Sequence, residues 1–353
     1  MTSQHDLALM RLVAQRLAGP REVDAVDAVG RLTAVQGQDL PGALLSVALR
    51  TKSGSRSDVE AALNAGDVVR SWPMRGTLHL VAAADLPWMI GLLGPRVLAG
   101  APARRTQLGI TDADIEKARV LAVQALSGGR QLRRAELLAA LVDGGVEIVG
   151  QRGYHLLWYL SQTCTLCLGP IDDGEQRFVL MDEWIRAPRR LEGEEALAEL
   201  ALRFFRGHGP ATVKDLVRWA GLRVTEARAG LASARDGLAV LEADGVEYVL
   251  APETPDLLTE HRAEALAVRL LPGFDEFVLG YADRTCAVPP EFADRIVPGG
   301  NGMFRPTVVS GGQVVGTWGY TGRGAKRTVT ATPFTSFSDE VSSAVPALAA
   351  ALP

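Results

Sequence analysis

Three times along this chain, apolar residues at helical spacing give way to two short alternating runs joined by a turn that ends in glycine. The first pair is VVRSWPMRGTLHLV, residues 68–81, turning at Met74-Arg75-Gly76. The second is TLCLGPIDDGEQRFVLMD, turning at Asp-Asp-Gly, and the third is LAVLEADGVEYVLAP, turning at Ala243-Asp244-Gly245. A change of apolar period from 3.6 to 2 marks the passage from helix to strand, and glycine supplies the positive-φ backbone that a tight hairpin turn needs. No other feature narrows the choice of fold as much, because it dictates helices followed by one hairpin, repeated.

The spacing predicts helices over residues 6–17, 23–35, 42–49 and 57–64 before the first hairpin. ITDADIEKARVLAVQAL, RRAELLAALVDGG and GYHLLWYLSQTC precede the second, and EEALAELALRFFRGHG, TVKDLVRWAGL and TEARAGLASAR precede the third. Helices closed by a two-stranded wing form the winged version of the helix-turn-helix, and ATVKDLVRWAGLRVTEARAGLASA, with a turn at Gly221, is its clearest copy. The expected fold class is therefore α+β, mainly helical: three tandem winged-helix units over residues 1–100, 101–190 and 191–255, then a C-terminal β-rich region with a closing helix over 256–353. That last region is expected to be a small antiparallel sheet, since MFRPTVVSGGQVVGTWGYTGRGAKRTVTATPF alternates around a Ser-Gly-Gly turn.

At 353 residues and 47% apolar, the chain has material for a core without staples. The three cysteines, Cys164, Cys167 and Cys286, are odd in number, and no charged-then-apolar leader opens the chain, so a reducing cytoplasm is the expected compartment. No apolar run approaches the roughly 18 residues of a membrane helix. A net charge of −4 argues against a protein that coats nucleic acid with its whole surface. Arginines do cluster locally, at Arg104-Arg105, at Arg130, Arg133 and Arg134, at Arg186, Arg189 and Arg190, and at Arg323, Lys326 and Arg327.

Several chemistries are disfavoured by the motifs. Cys164 and Cys167 have metal-like spacing but no second Cys or His pair in range, so packed thiols are expected rather than zinc. No phosphate loop ending in Gly-Lys-Ser/Thr and no Gly-x-Ser-x-Gly elbow occurs, and the five histidines lack metal-ligand spacing. No metal and no cofactor are expected. What remains is TAVQGQDLPG, where Gln36 and Gln38 stand one residue apart among apolar and turn-forming neighbours. On the residues alone, two amides there also read as helix-end groups satisfying backbone before Pro41.

Four segments carry a resemblance: Gln36-Gly37-Gln38 after an apolar helix, Trp72 with MRGTLHLV, LLPGFDEFVLGYADR, and FRPTVVSGGQVVGTW. Taken in order along nearly the whole chain, they resemble the winged-helix DNA glycosylases of the AlkZ and YcaQ type. The Gln-x-Gln form is similar to the AlkZ-like branch, the YcaQ-like branch having Gln-x-Asp; the family's middle residue is usually larger and apolar where this chain has Gly37. The resemblance implies tandem winged helices around a DNA channel and excision of alkylated bases from double-stranded DNA.

Loss of a base leaves an oxocarbenium-like sugar, and neutral leaving groups need an acid to help them depart. Guanine alkylated at N7 is already cationic, so two amide carbonyls that place a water and surround the developing charge suffice. Gln36 and Gln38 are thus the expected catalytic pair for N7-alkylguanine adducts, bulky or crosslinking ones among them, in a monofunctional reaction that leaves an abasic site. No neighbouring lysine suggests a Schiff base, so lyase activity is not expected. Arg75, Thr77 and His79 on the first wing, and Arg323, Lys326 and Arg327 in a glycine-rich loop, are the expected DNA contacts. With no heptad or dimer helix, a monomer without protein partners is expected, acting in the cytoplasm and on the nucleoid when bound. The alternative is a winged-helix regulator or a damage-recognition protein that does not cut.

Overall fold

The computed structural model describes residues 3–322 and 327–352, and the fold is mixed α/β with antiparallel sheets. The strands in chain order are β1 (Val35–Gln36), β2 (Val68–Met74), β3 (Thr77–Ala82), β4 (Leu166–Asp172) and β5 (Glu175–Leu180). They continue with β6 (Ala239–Ala243), β7 (Val246–Leu250), β8 (Arg269–Leu271), β9 (Thr307–Ser310), β10 (Gln313–Thr321) and β11 (Thr328–Pro333). Two compact units result, one of Glu60–Ala196 and one assembled from both ends of the chain, Met1–Val59 with Leu197–Pro353.

All three expected hairpins are present, and they turn in the same way. The two loop residues have positive φ in each: Arg75 at 55° and Gly76 at 69°, Asp173 at 51° and Gly174 at 75°, Asp244 at 52° and Gly245 at 74°. This is the mirror-image turn whose twist matches the flanking strands, and glycine at the second position adopts it without a Cβ clash. The Ser-Gly-Gly turn between β9 and β10 repeats it, with Gly311 at 57° and Gly312 at 74°.

Within the Glu60–Ala196 unit, β2 pairs with β3 and β4 with β5, and β2 also pairs with β4 at Arg70↔Leu168. The first two hairpins therefore share one sheet, a link that local spacing does not reveal. Helices Asp112–Leu126, Arg134–Asp143 and Arg152–Gln162 contribute Ala118, Ala122, Leu137, Leu156 and Leu160 to a core with Trp72, Leu166 and Phe178.

In the other unit the helix Gln4–Ala14 is buried on almost every side, through Leu7, Leu9, Leu12 and Val13 among others, and it packs into a core with Leu258, Leu271 and Phe277. The helix Val213–Ala220 starts at a reciprocal Thr212–Asp215 capping box and ends at Gly221 in the left-handed region, φ 72°. The helix Val224–Ser233 follows and then the β6–β7 hairpin. The C-terminal antiparallel sheet has the order β11-β10-β9-β8, and its Val308 and Trp318 meet Val341 of the closing helix Asp339–Ala350.

Candidate functional site

Gln36 and Gln38 sit where a helix has just stopped and another is about to start. The helix Ala25–Leu32 ends at Thr33, whose φ of 68° turns the chain sharply into β1, and the helix Leu40–Ala48 begins after Asp39 with proline in its first turn. The two amides meet different surroundings: Gln36 is 5% exposed, whereas Gln38 is exposed. The Gln36 main-chain N–H donates to Oε1 of Glu276 at 3.2 Å, a contact across 240 residues of sequence.

Glu276 is a fully buried carboxylate with several donors. The indole Nε1 of Trp219 donates to its Oε2 at 3.0 Å, and Nε2 of His208 lies 3.3 Å from the same oxygen. The His208 ring stacks on Phe204 with centroids 4.7 Å apart, and Gly280 leaves room for it, since a Cβ there would stand 2.8 Å from the ring.

The preceding residue, Asp275, is buried as well and takes a two-pronged bond from Arg50, with Nη1 and Nη2 each 2.9 Å from a carboxylate oxygen. The Ser46 hydroxyl donates to it at 2.7 Å. Burial pushes the Asp275 carboxyl up, but the Arg50 charge, the Arg50 donors, the Phe277 N–H and the Ser46 hydroxyl outweigh that and hold it below the usual carboxylate range. The network continues from Arg50 to Gln15 at 2.9 Å, from Gln15 to the Tyr281 hydroxyl at 2.9 Å, and from that hydroxyl to the His208 carbonyl at 2.7 Å. Sequence reasoning noted LLPGFDEFVLGYADR but assigned no role to Asp275 or Glu276. Two adjacent acids inside an apolar run were the available signal, because such a pair survives burial only when both are partnered.

Arg75, Thr77 and His79 lie together on the β2–β3 hairpin of the Glu60–Ala196 unit. His79 is fully buried, and its Nδ1 is 2.8 Å from the Thr77 carbonyl. A carbonyl only accepts, so Nδ1 carries the proton and Nε2 accepts from the Arg75 guanidinium at 3.1 Å. Burial and, after it, the Arg75 charge push the His79 pKa well below its ordinary value, so the ring is neutral. Both ring nitrogens are engaged within the hairpin, and what they orient is Arg75.

A cavity of about 400 Å³ adjoins the hairpin tip, lined by Arg75, Gly76, Arg104, Tyr154, His155 and Trp158. A second, of about 590 Å³, is lined by Arg70, Trp72, Arg134, Tyr154 and Phe178 among others.

Of the glycine-rich loop, Arg327 is exposed with its guanidinium carbon 3.4 Å from the Tyr320 ring centroid, while Arg323 and Lys326 lie outside the described residues. Members of the other arginine clusters pair within the protein: Arg105 with Asp112, Arg133 with Asp173 at 2.9 Å, and Arg189 with Asp85 at 2.9 Å. The expectation of two packed thiols holds for Cys167, which is buried, and not for Cys164, which is exposed and has φ of 57°. Among the described residues no group of His, Cys, Asp and Glu is arranged to hold a metal, and no helix is long and apolar enough to cross a membrane.

The "DNA glycosylase AlkZ-like" family matches residues 29–353. An interstrand DNA cross-link repair glycosylase of Streptomyces sahachiroi is 28% identical over 327 residues, covering 87% of this chain and 85% of that protein. The solved structure of the Streptomyces sahachiroi DNA glycosylase AlkZ superposes with a TM-score of 0.81 at 25% identity, over 99% of this chain and 95% of that one. The family match takes in the Gln-Gly-Gln segment, the hairpins and the acidic pair beneath Gln36, and the chain belongs to the AlkZ-like family of DNA glycosylases.

Proposed function

We propose that this DNA glycosylase hydrolyses the N-glycosidic bond of cationic N7-alkylguanine in double-stranded DNA, with Gln36 and Gln38 placing the water and facing the sugar cation. The observation that carries this reading is the contrast within the pair: Gln36 is anchored through its main chain to a buried carboxylate, and Gln38, two residues on, is open to solvent. A fixed backbone with one amide reaching outward suits the ordering of a single water, because catalysis by oriented dipoles depends on their being held before the charge develops. The leaving group is already positive, so the reaction has no need of a general acid.

Double-stranded DNA bearing alkylated purines is the substrate in this reading. Arg75, oriented by His79 and flanked by Thr77, contacts the duplex, and Arg323, Lys326 and Arg327 grip phosphates. The helices and hairpins act as three winged-helix units over 1–100, 101–190 and 191–255, with residues 256–353 completing the β-rich end. The enzyme works as a monomer in the cytoplasm, and the similarity to a cross-link repair glycosylase extends its substrates to guanines joined across the two strands. No lyase step follows.

The test is release of 7-methylguanine from a methylated duplex, scored by alkaline cleavage at the abasic sites, for Q36A, Q38A and the double variant. Each single variant is expected to lose about 10²-fold in rate, the magnitude found on removing one preorganised dipole. Full activity of the double variant overturns the assignment and leaves a protein that recognises damage by other means. Borohydride is expected to trap no covalent enzyme–DNA adduct.

A further inference from the structure

We infer that Glu276 is a positioning residue for the reaction: its side-chain length, rather than its charge, sets where Gln36 stands. The inference rests on the reading of Gln36 as catalytic. Its support is geometric. Glu276 Oε1 accepts the Gln36 main-chain N–H at 3.2 Å, while Oε2 is occupied by Trp219 Nε1 at 3.0 Å and by His208 Nε2 at 3.3 Å. The carboxylate is fully buried, so it is held from behind by two rings and has one oxygen left to present to the backbone below the glutamines.

The segment that delivers Glu276 is itself fixed. Phe274 has φ of 61°, a conformation rare for a bulky residue, and such strain persists only where surrounding contacts impose it. Asp275 supplies that constraint through Arg50 and Ser46, and its Oδ1 also accepts the Phe277 N–H at 3.0 Å, starting the short helix Glu276–Leu279. Arg50 and Ser46 belong to the same stretch of chain that follows the glutamines. Residues 36–50 and 274–276 are therefore joined at two points, Gln36 to Glu276 and Arg50 to Asp275, so a shift of the Glu276 oxygen moves Gln36 while the helix behind it stays in place. Such a displacement of about 1 Å costs up to about 10²-fold in rate when a reacting group is misplaced.

Two conservative variants separate length from charge. Glu276→Gln keeps an acceptor at the same reach for the Gln36 N–H, its NH2 taking the Oε2 position, where His208 Nε2 accepts from it and the Trp219 N–H loses its acceptor, and Glu276→Asp keeps the carboxylate but withdraws it by one methylene. On the 7-methylguanine duplex, E276Q is expected to retain kcat within about fivefold. E276D is expected to lose tenfold or more in kcat with unchanged Kd for the duplex, together with faster hydrogen exchange at the Gln36 amide. Wild-type kcat in E276D, or a loss in E276Q as large as in E276D, overturns the inference. A Trp219→Phe variant, which removes a donor from the other oxygen, is expected to lower Tm yet leave kcat within about threefold; a matching kcat loss there reduces Glu276 to a stability role. Q36A run alongside keeps the two readings apart. An inactive Q36A beside a fully active E276D sinks the positioning role alone, and a fully active Q36A sinks the catalytic role of Gln36 and this inference with it, while amide exchange still reports whether the anchor exists.

Discussion

Two residues of one type, two positions apart, end in opposite surroundings. Gln36 is anchored and buried, Gln38 is exposed, and neither state is written in the residue type. The pair itself was legible in the sequence, as were Arg75 and the hairpin it tips, because an amide pair or a turn arginine is a local signal. The anchor was not, since Glu276 reaches Gln36 only after 240 residues of intervening chain. His79 yields a prediction with a definite sign. Its pKa is lowered in the fold, so the unfolded chain binds the extra proton and stability is intact above pH of about 6.5 and falls as pH drops below that, by about 1.4 kcal/mol per unit. An H79N variant is expected to lose this slope between pH 6.5 and 5 in urea titrations, and also to weaken duplex binding through the loosened Arg75. Arg75→Ala is expected to reduce the salt dependence of duplex affinity by about one counterion, measured as the slope of log K against log salt.

At the level of elements, the recurring hairpin shows why some structure can be read from a few letters. An Asp-Gly or Arg-Gly pair between alternating runs specifies a two-residue turn, and the three such turns among the described residues carry positive φ at both positions. Gly245 isolates the cost of that conformation: it has φ of 74°, and no atom stands within 4 Å of where a Cβ would be. Gly245→Ala is therefore expected to lower unfolding free energy by about 1 kcal/mol from backbone strain alone, with base release unchanged. Pairing between hairpins was not legible. The β2–β4 contact rests on a single register pair, Arg70↔Leu168, and both strands carry apolar residues that satisfy many alternative neighbours.

Over the whole molecule, one buried ion pair joins the early and late parts of the chain. Asp275 and Arg50 are each 1% exposed at the side chain, so removing one partner strands the other in a dry interior. Asp275→Ala is expected to cost about 3–5 kcal/mol in chemical denaturation. Because the Asp275 pKa is lowered in the fold, its contribution is complete above pH of about 4 and disappears as acid carries it through the depressed value, so D275N is expected to flatten the steepest part of acid unfolding. The assembly of one unit from Met1–Val59 and Leu197–Pro353 has a further consequence for how the enzyme comes into being. A ribosome emits Gln36 and Arg50 early, yet the carboxylates that hold them, Glu276 and Asp275, emerge more than two hundred residues later, after Glu60–Ala196 has already been released. At a pace of about 5–20 residues per second, the nascent chain carries Gln36 and Arg50 unanchored for roughly ten seconds or more, and translation halted before residue 275 yields a polypeptide that lacks both anchors.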